Sequence, residues 1–183
     1  SFVRIACHDH EIVNFFKLFK LLKKKKIKVF FNLMQISEIS KVRIIEIMKK
    51  SKNFEFEGFY IADSLGSLHP SEIVDIINLI KKEAPVKIGL HAHNNKLMAL
   101  ANSLEAARVG ATYLDSTIKG MGRGCGNTQT EYLYVERHKK DKIFLKNHAI
   151  VDLVSLIEKS FDKLNQEYKW SDNLYYYLFN LPF

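Results

Sequence analysis

The sequence predicts an α/β fold of parallel strands joined by crossover helices, and three observations carry that prediction. Short apolar runs alternate five times with segments of helical period, the units recur at roughly 28 residues each, and polar clusters follow the apolar runs directly. At 183 residues, 47% of them hydrophobic, the chain is one domain's worth with one core.

The elements can be assigned in order. Residues 2–7 form an apolar strand ending in polar His8-Asp9-His10; the two histidines share an i, i+2 spacing but read as loop residues following a strand. Residues 11–25 carry Ile12, Phe15, Phe16, Phe19 and Leu22 at the period of an amphipathic helix. Residues 27–34 are nearly continuous in apolar side chains, as a strand covered on both faces should be. A helix over 37–50 follows, with Ile39, Val42, Ile45, Ile47 and Met48 as its buried stripe, and then a polar loop over 53–57. The third strand, 58–62, runs into Asp63-Ser64-Leu65-Gly66. Pro70 suits the first turn of the next helix, where its missing N–H costs nothing; Ile73, Ile76, Ile77 and Ile80 share one side, and Pro85 ends it. The fourth strand is 86–91 with its helix at 96–109, and the fifth strand is 112–117 with its helix at 128–139. A further amphipathic helix spans 147–164, before a tail with Trp170 and three tyrosines at 175–177.

Charge and cysteine usage exclude several classes. The net charge of +8 comes mostly from lysine runs such as 23–26 and 139–140 on solvated helix ends; no nucleic-acid-binding motif accompanies them, so no nucleic-acid partner is expected. Cys7 and Cys125 lack metal-type spacing and read as reduced thiols of a cytoplasmic protein. No apolar run has the length to span a bilayer and no signal-peptide pattern opens the chain, so no membrane association is expected.

The chemistry-bearing stretch is 87–131. His91 and His93 sit at i and i+2 where an apolar strand gives way to Asn94 and Asn95, which places both imidazoles on one face, within reach of one cation. The run Gly120-Met-Gly122-Arg-Gly124-Cys-Gly126-Asn127 lets the backbone take positive φ and approach a ligand. It is neither a P-loop nor GxGxxG.

These motifs resemble the metal-dependent aldolase and lyase family that includes 4-hydroxy-2-oxovalerate aldolase, hydroxymethylglutaryl-CoA lyase and isopropylmalate synthase. The resemblance lies in His91-Ala-His93, in Ala101-Asn102-Ser103-x-x-Ala106, and in the glycine loop through Asn127 with Glu131. Asp63-Ser64-Leu65-Gly66 matches the end of the family's sixth strand, and Asp115-Ser116-Thr117 with Gly-Met-Gly is closest to the 4-hydroxy-2-oxo acid aldolase branch.

The resemblance implies a TIM (β/α)8 barrel that is incomplete. Five units stand here against eight, corresponding to the family's fourth to eighth strands, with the barrel domain over 1–139 and a C-terminal helical extension over 140–183. It implies a divalent cation, Mn²⁺ or Mg²⁺, held by His91, His93 and Asn127, and a 2-oxo acid substrate contacted by Ser64 and Asp63. The reaction implied is aldol cleavage or condensation of a 4-hydroxy-2-oxo acid, giving pyruvate and an aldehyde through a metal-stabilised enolate. The family's first strand supplies a metal-ligating Asp and an enolate-stabilising Arg in Arg-Asp-Gly, which is absent from these residues, and no catalytic base can be named because the family's candidates lie largely in the missing part. The expected partner is therefore a missing N-terminal barrel segment or a second copy of the chain. Two other readings remain: a truncated, non-catalytic remnant or interaction subunit, and an acyl-CoA-dependent synthase or lyase of the same family.

Overall fold

The computed structural model describes residues 1–138 and 148–171. The strands are β1 (Phe2–Cys7), β2 (Lys28–Leu33), β3 (Gly58–Asp63), β4 (Ile88–Ala92) and β5 (Tyr113–Leu114). The helices are α1 (Ile12–Lys24), α2 (Lys41–Ser51), α3 (Pro70–Glu83), α4 (Ala99–Arg108), α5 (Thr130–His138) and α6 (His148–Tyr168). All strand pairs are parallel, in the order β1-β2-β3-β4-β5. The predicted boundary at 139/140, the lysine pair there and the three tyrosines at 175–177 lie outside the described residues.

Alternation along each strand divides the sheet into two faces. Val29, Phe31 and Leu33 of β2, Phe59 and Ile61 of β3, and Ile88 and Leu90 of β4 are wholly buried against the helices. α3 meets them with Ile73, Ile76, Ile77 and Ile80, the stripe the sequence predicts. α1 buries Ile12, Phe15 and Phe19, with Phe16 and Leu22 packed at the margin.

Two local expectations are corrected. Residues 36–38 form a separate 3-10 turn, and α2 begins only after Ser40, whose hydroxyl accepts from the Arg43 amide at 3.2 Å. Its buried face is Ile44, Ile47, Met48 and Ser51, while Val42 is 68% exposed, because the true helical phase puts Val42 on the solvent side. The stretch 53–57 is not a polar loop in its packing. Phe54 stacks on Phe16 at 4.3 Å between centroids, and Phe56 meets Phe15 at 5.7 Å and Phe19 at 5.0 Å, extending the core beneath α1.

The other face is concave. β1 and β5 are the two edges, and a flat sheet would hold them about 19 Å apart, beyond the reach of an arginine side chain. Yet Arg4 Nη1 of β1 lies 2.5 Å from Asp115 Oδ2, directly after β5, with its guanidinium 4.5 Å over the Tyr60 ring of β3. The sheet is therefore curled into an arc, and Tyr60 stacks on Tyr113 at 5.9 Å inside it. Gly89 makes room for this filling, since a Cβ there would meet ring carbons of Tyr60 at 2.5 Å. Gly89→Ala is accordingly expected to cost about 1–3 kcal/mol, the usual range for overpacking, read as a lower urea midpoint with unchanged slope. An unshifted midpoint would mean that the ring moves aside freely.

Candidate functional site

The polar residues gather at the carboxyl ends of β3, β4 and β5. β4 ends at Ala92, and the two predicted imidazoles come together there: the His91 and His93 rings are 5.0 Å apart and nearly perpendicular, at 80°. The glycine-rich loop returns to the same place. His93 and Asn127 form an antiparallel bridge, Asn94 N donates to Gly126 O at 3.0 Å, and Thr128 N donates to Ala92 O at 3.2 Å. His91, His93 and Asn127, 36 residues apart at their extremes, thus share one corner of the fold.

Each donor is prepared by its surroundings. His91 Nδ1 lies 3.0 Å from Asp115 Oδ2, a contact that fixes the ring's orientation and leaves Nε2 for a ligand. Burial alone would raise the Asp115 carboxyl, but the His91 hydrogen bond and the Arg4 charge together outweigh it and hold the group below the usual carboxylate range. His93 is 8% exposed, and burial, followed by the charges of His91 and Arg123, pushes it down to about 4, so it is neutral at pH 7. Asn127 donates from Nδ2 to Met121 O at 3.1 Å, while its Oδ1 is buried without a protein partner. A neutral imidazole and an amide oxygen with an unused lone pair are donors that fit a divalent cation. The set is partial: no group of three His, Cys, Asp or Glu placed to hold a metal ion occurs among the described residues.

The remaining motif residues hold the loops in place. Asn102 Nδ2 of α4 donates to Leu68 O at 2.8 Å, and Ser103 Oγ meets Thr128 Oγ1 at 2.9 Å, tying α4 to the loops after β3 and β5. Glu131 accepts from Lys119 N at 3.0 Å at the start of the glycine run. Gly122 leaves space for the Asn127 amide, whose Cγ would lie 3.0 Å from a Cβ there. In the sequence Arg4 and Tyr60 carry no site signal, and Asp115 carries only the family signature. The alternation along β1 and β3 places both on the concave face, but nothing in it shows that two sheet edges meet.

Asp63 and Ser64 occupy the turn after β3. Asp63 is 0% exposed and accepts from Ser67 N at 3.1 Å and Leu68 N at 3.2 Å, so its carboxylate orders the turn from within. Ser64 Oγ accepts from Gln35 N at 3.0 Å, which leaves the hydroxyl proton to donate elsewhere. His8 and His10 stack on each other at 5.5 Å around a 3-10 turn, consistent with loop histidines. Cys7 and Cys125 are buried and form no disulfide, and burial, then Glu11 and Asp9, pushes the Cys7 thiol up to about 12.

Asp63 also gives a pH signature. Burial raises it from 3.8 to about 6, against the backbone hydrogen bonds from Ser67 and Leu68. Between those values the folded state keeps a proton that the unfolded chain has released, so this group's contribution to stability falls as pH rises from about 4 to about 6. Relative to Asp63→Asn, the parent should lose on the order of 2 kcal/mol across that window in urea titrations. A parent that gains on the variant as pH rises would contradict the assignment. His93, lowered toward 4, acts in the opposite direction but is common to both proteins and cancels.

Curled parallel strands carrying their polar groups at the carboxyl ends, beside a glycine-rich loop, have the architecture of part of a TIM barrel. Residues 4–159 match the HMGL-like family model, and the chain belongs to that family. A 4-hydroxy-2-oxovalerate aldolase of Geobacillus stearothermophilus is 42% identical over 91 residues, covering 50% of this chain and 27% of the relative. The N-terminal domain of an aldolase candidate from Bacteroides vulgatus superposes with a TM-score of 0.82 at 29% identity, over 100% of this chain and 60% of that one. A hydroxymethylglutaryl-CoA lyase of Pseudomonas aeruginosa shares the fold with a TM-score of 0.64 at 16% identity, over 76% and 56% of the two chains. The chain thus spans under a third of the curated relative's length. No helix among the described residues is long and apolar enough to cross a membrane.

Proposed function

We propose that this chain supplies the cation-binding half of an aldolase that cleaves a 4-hydroxy-2-oxo acid to pyruvate and an aldehyde in the cytoplasm. The observation that carries the reading is the meeting of His91, His93 and the unpartnered Asn127 Oδ1 at one corner of the strand ends. These three residues would hold a divalent cation, Mn²⁺ or Mg²⁺, with water, substrate and a donor from the remaining barrel completing the set. When bound there, the cation would supply Lewis-acid stabilisation of negative charge on the 2-oxo oxygen.

The chain's own residues bind and orient. Asp115, held by Arg4, fixes the His91 ring. His93 stays neutral near pH 7, so protons do not compete for its lone pair. Ser64, its oxygen occupied by Gln35 N, has its proton free to donate to the substrate carboxylate. Asp63 shapes the turn that presents Ser64. The aldolase branch is favoured by the 42% identity to a 4-hydroxy-2-oxovalerate aldolase. The test is substrate choice by these residues joined to an N-terminal barrel half bearing Arg-Asp-Gly. Pyruvate release from a 4-hydroxy-2-oxo acid is expected, whereas turnover confined to an acyl-CoA substrate would assign the site to the acyl-CoA-dependent branch.

A further inference from the structure

The glycine-rich loop that presents Asn127 is held from behind by α6 and the residues that close it. Trp170 is 5% exposed, and its indole Nε1 donates to Lys119 O at 2.8 Å. One residue on, Ser171 N donates to Gly124 O at 3.3 Å. On α6 itself, Asp162 Oδ1 pairs with Lys119 Nζ at 2.7 Å. The contacts therefore fall at the start of the loop, on Lys119, and in its middle, on Gly124.

The position held is one the loop would not keep by itself. Lys119 has φ 50, a left-handed conformation that costs a non-glycine residue, and Gly120, Gly124 and Gly126 all have positive φ. Four glycines within seven residues also give the loop a large entropy to lose on ordering. Gly126 is the joint between the two sides. Its carbonyl accepts from Asn94 beside His93, and the Trp170 ring edge lies 3.5 Å from where a Gly126 Cβ would stand. The indole thus lies beside the backbone that sets Asn127 against His93. Closure also comes late in the chain, since α6 lies beyond the five strand-helix units.

We propose that α6 and the residues just after it are a latch on the glycine-rich loop, with Trp170 the positioning residue that keeps Asn127 Oδ1 in place beside the two histidines. Its effect on cation affinity rests on the reading of that corner as a cation site; its effect on loop order does not. Because Trp170 is the chain's single tryptophan, its emission reports on the loop directly.

The experiment compares the parent with Trp170→Ala, Trp170→Phe and Asp162→Asn, following amide hydrogen exchange peptide by peptide and Mn²⁺ affinity by calorimetry. Exchange over residues 118–128 should rise about tenfold or more in Trp170→Ala and less in Trp170→Phe, which keeps a ring but loses the N–H, while β2 and β3 remain as protected as in the parent. Mn²⁺ affinity should fall about tenfold in Trp170→Ala, the low end of what outer residues cost a metal site, with Trp170→Phe between it and the parent. Saturating Mn²⁺ should change the Trp170 emission of the parent but not of a variant lacking both histidines. Unchanged loop exchange in folded Trp170→Ala would overturn the latch, as would a uniform rise that includes β2 and β3. If the alanine variant does not fold, the same criteria apply to Trp170→Phe and Asp162→Asn. A parent that binds no Mn²⁺ would refute the cation reading and still leave the exchange comparison to judge the latch.

Discussion

Replacing His91 and His93 together by alanine is expected to abolish the divalent-cation site: Mn²⁺ or Co²⁺ titrated into the double variant should show no saturable binding where the parent saturates. The two imidazoles are the nitrogen donors of the set, 5.0 Å apart between ring centroids, and their removal leaves one amide oxygen at Asn127. A single neutral oxygen cannot retain a first-row divalent ion against water. The fold should survive the change. Both histidines sit at the end of β4 on the concave face, whereas the core is carried by Ile88 and Leu90 on the other face of the same strand. A circular dichroism spectrum and urea midpoint near the parent's would confirm that binding alone was lost. Equal affinity in parent and variant would mean that the cation, if bound, sits elsewhere.

The second large effect concerns turnover. These 183 residues contain no Arg-Asp-Gly, so the chain by itself should release no measurable pyruvate from a 4-hydroxy-2-oxo acid, while the same residues joined to a segment bearing that motif should. Losing one preorganised charge-stabilising donor typically costs about a hundredfold to a thousandfold, so a missing carboxylate ligand and a missing guanidinium together should cost several orders of magnitude. The geometry agrees with a need for completion. Arg4 is already committed to Asp115 and to the Tyr60 ring, and Phe2 stands 74% exposed at the β1 edge. A lactate-dehydrogenase-coupled assay reads the outcome, and ordinary aldolase rates from the chain alone would show that the reacting groups have been misplaced.

Much of this protein was legible in its sequence because the signals are local. Apolar runs of five or six residues, bounded by Pro, Gly and polar clusters, specify strands whatever surrounds them, and β1 to β4 lie within two residues of their expected limits. The isoleucine stripe of α3 and the paired His91 and His93 follow from periods of 3.6 and 2 that a chain cannot evade. Where local signals compete, tertiary packing decided. The strand expected over 112–117 is only Tyr113–Leu114, because Thr117 leaves the sheet to pair with Gln129, and the helix expected from 96 starts at Ala99, because Leu97 takes φ 59.

By itself the sequence determined the alternation of strands and helices, the buried faces of α1 and α3, and the residue types gathered at the strand ends. Only the tertiary structure decided that the sheet curls until Arg4 of one edge grips Asp115 beyond the other, that Phe54 and Phe56 belong to the core, and that Trp170 closes on the glycine-rich loop. The reason is sequence separation. Periodicity reports which side of its own element a residue faces, whereas these contacts join residues 111, 38 and 51 positions apart, and they exist only once the whole sheet has closed the distance between them.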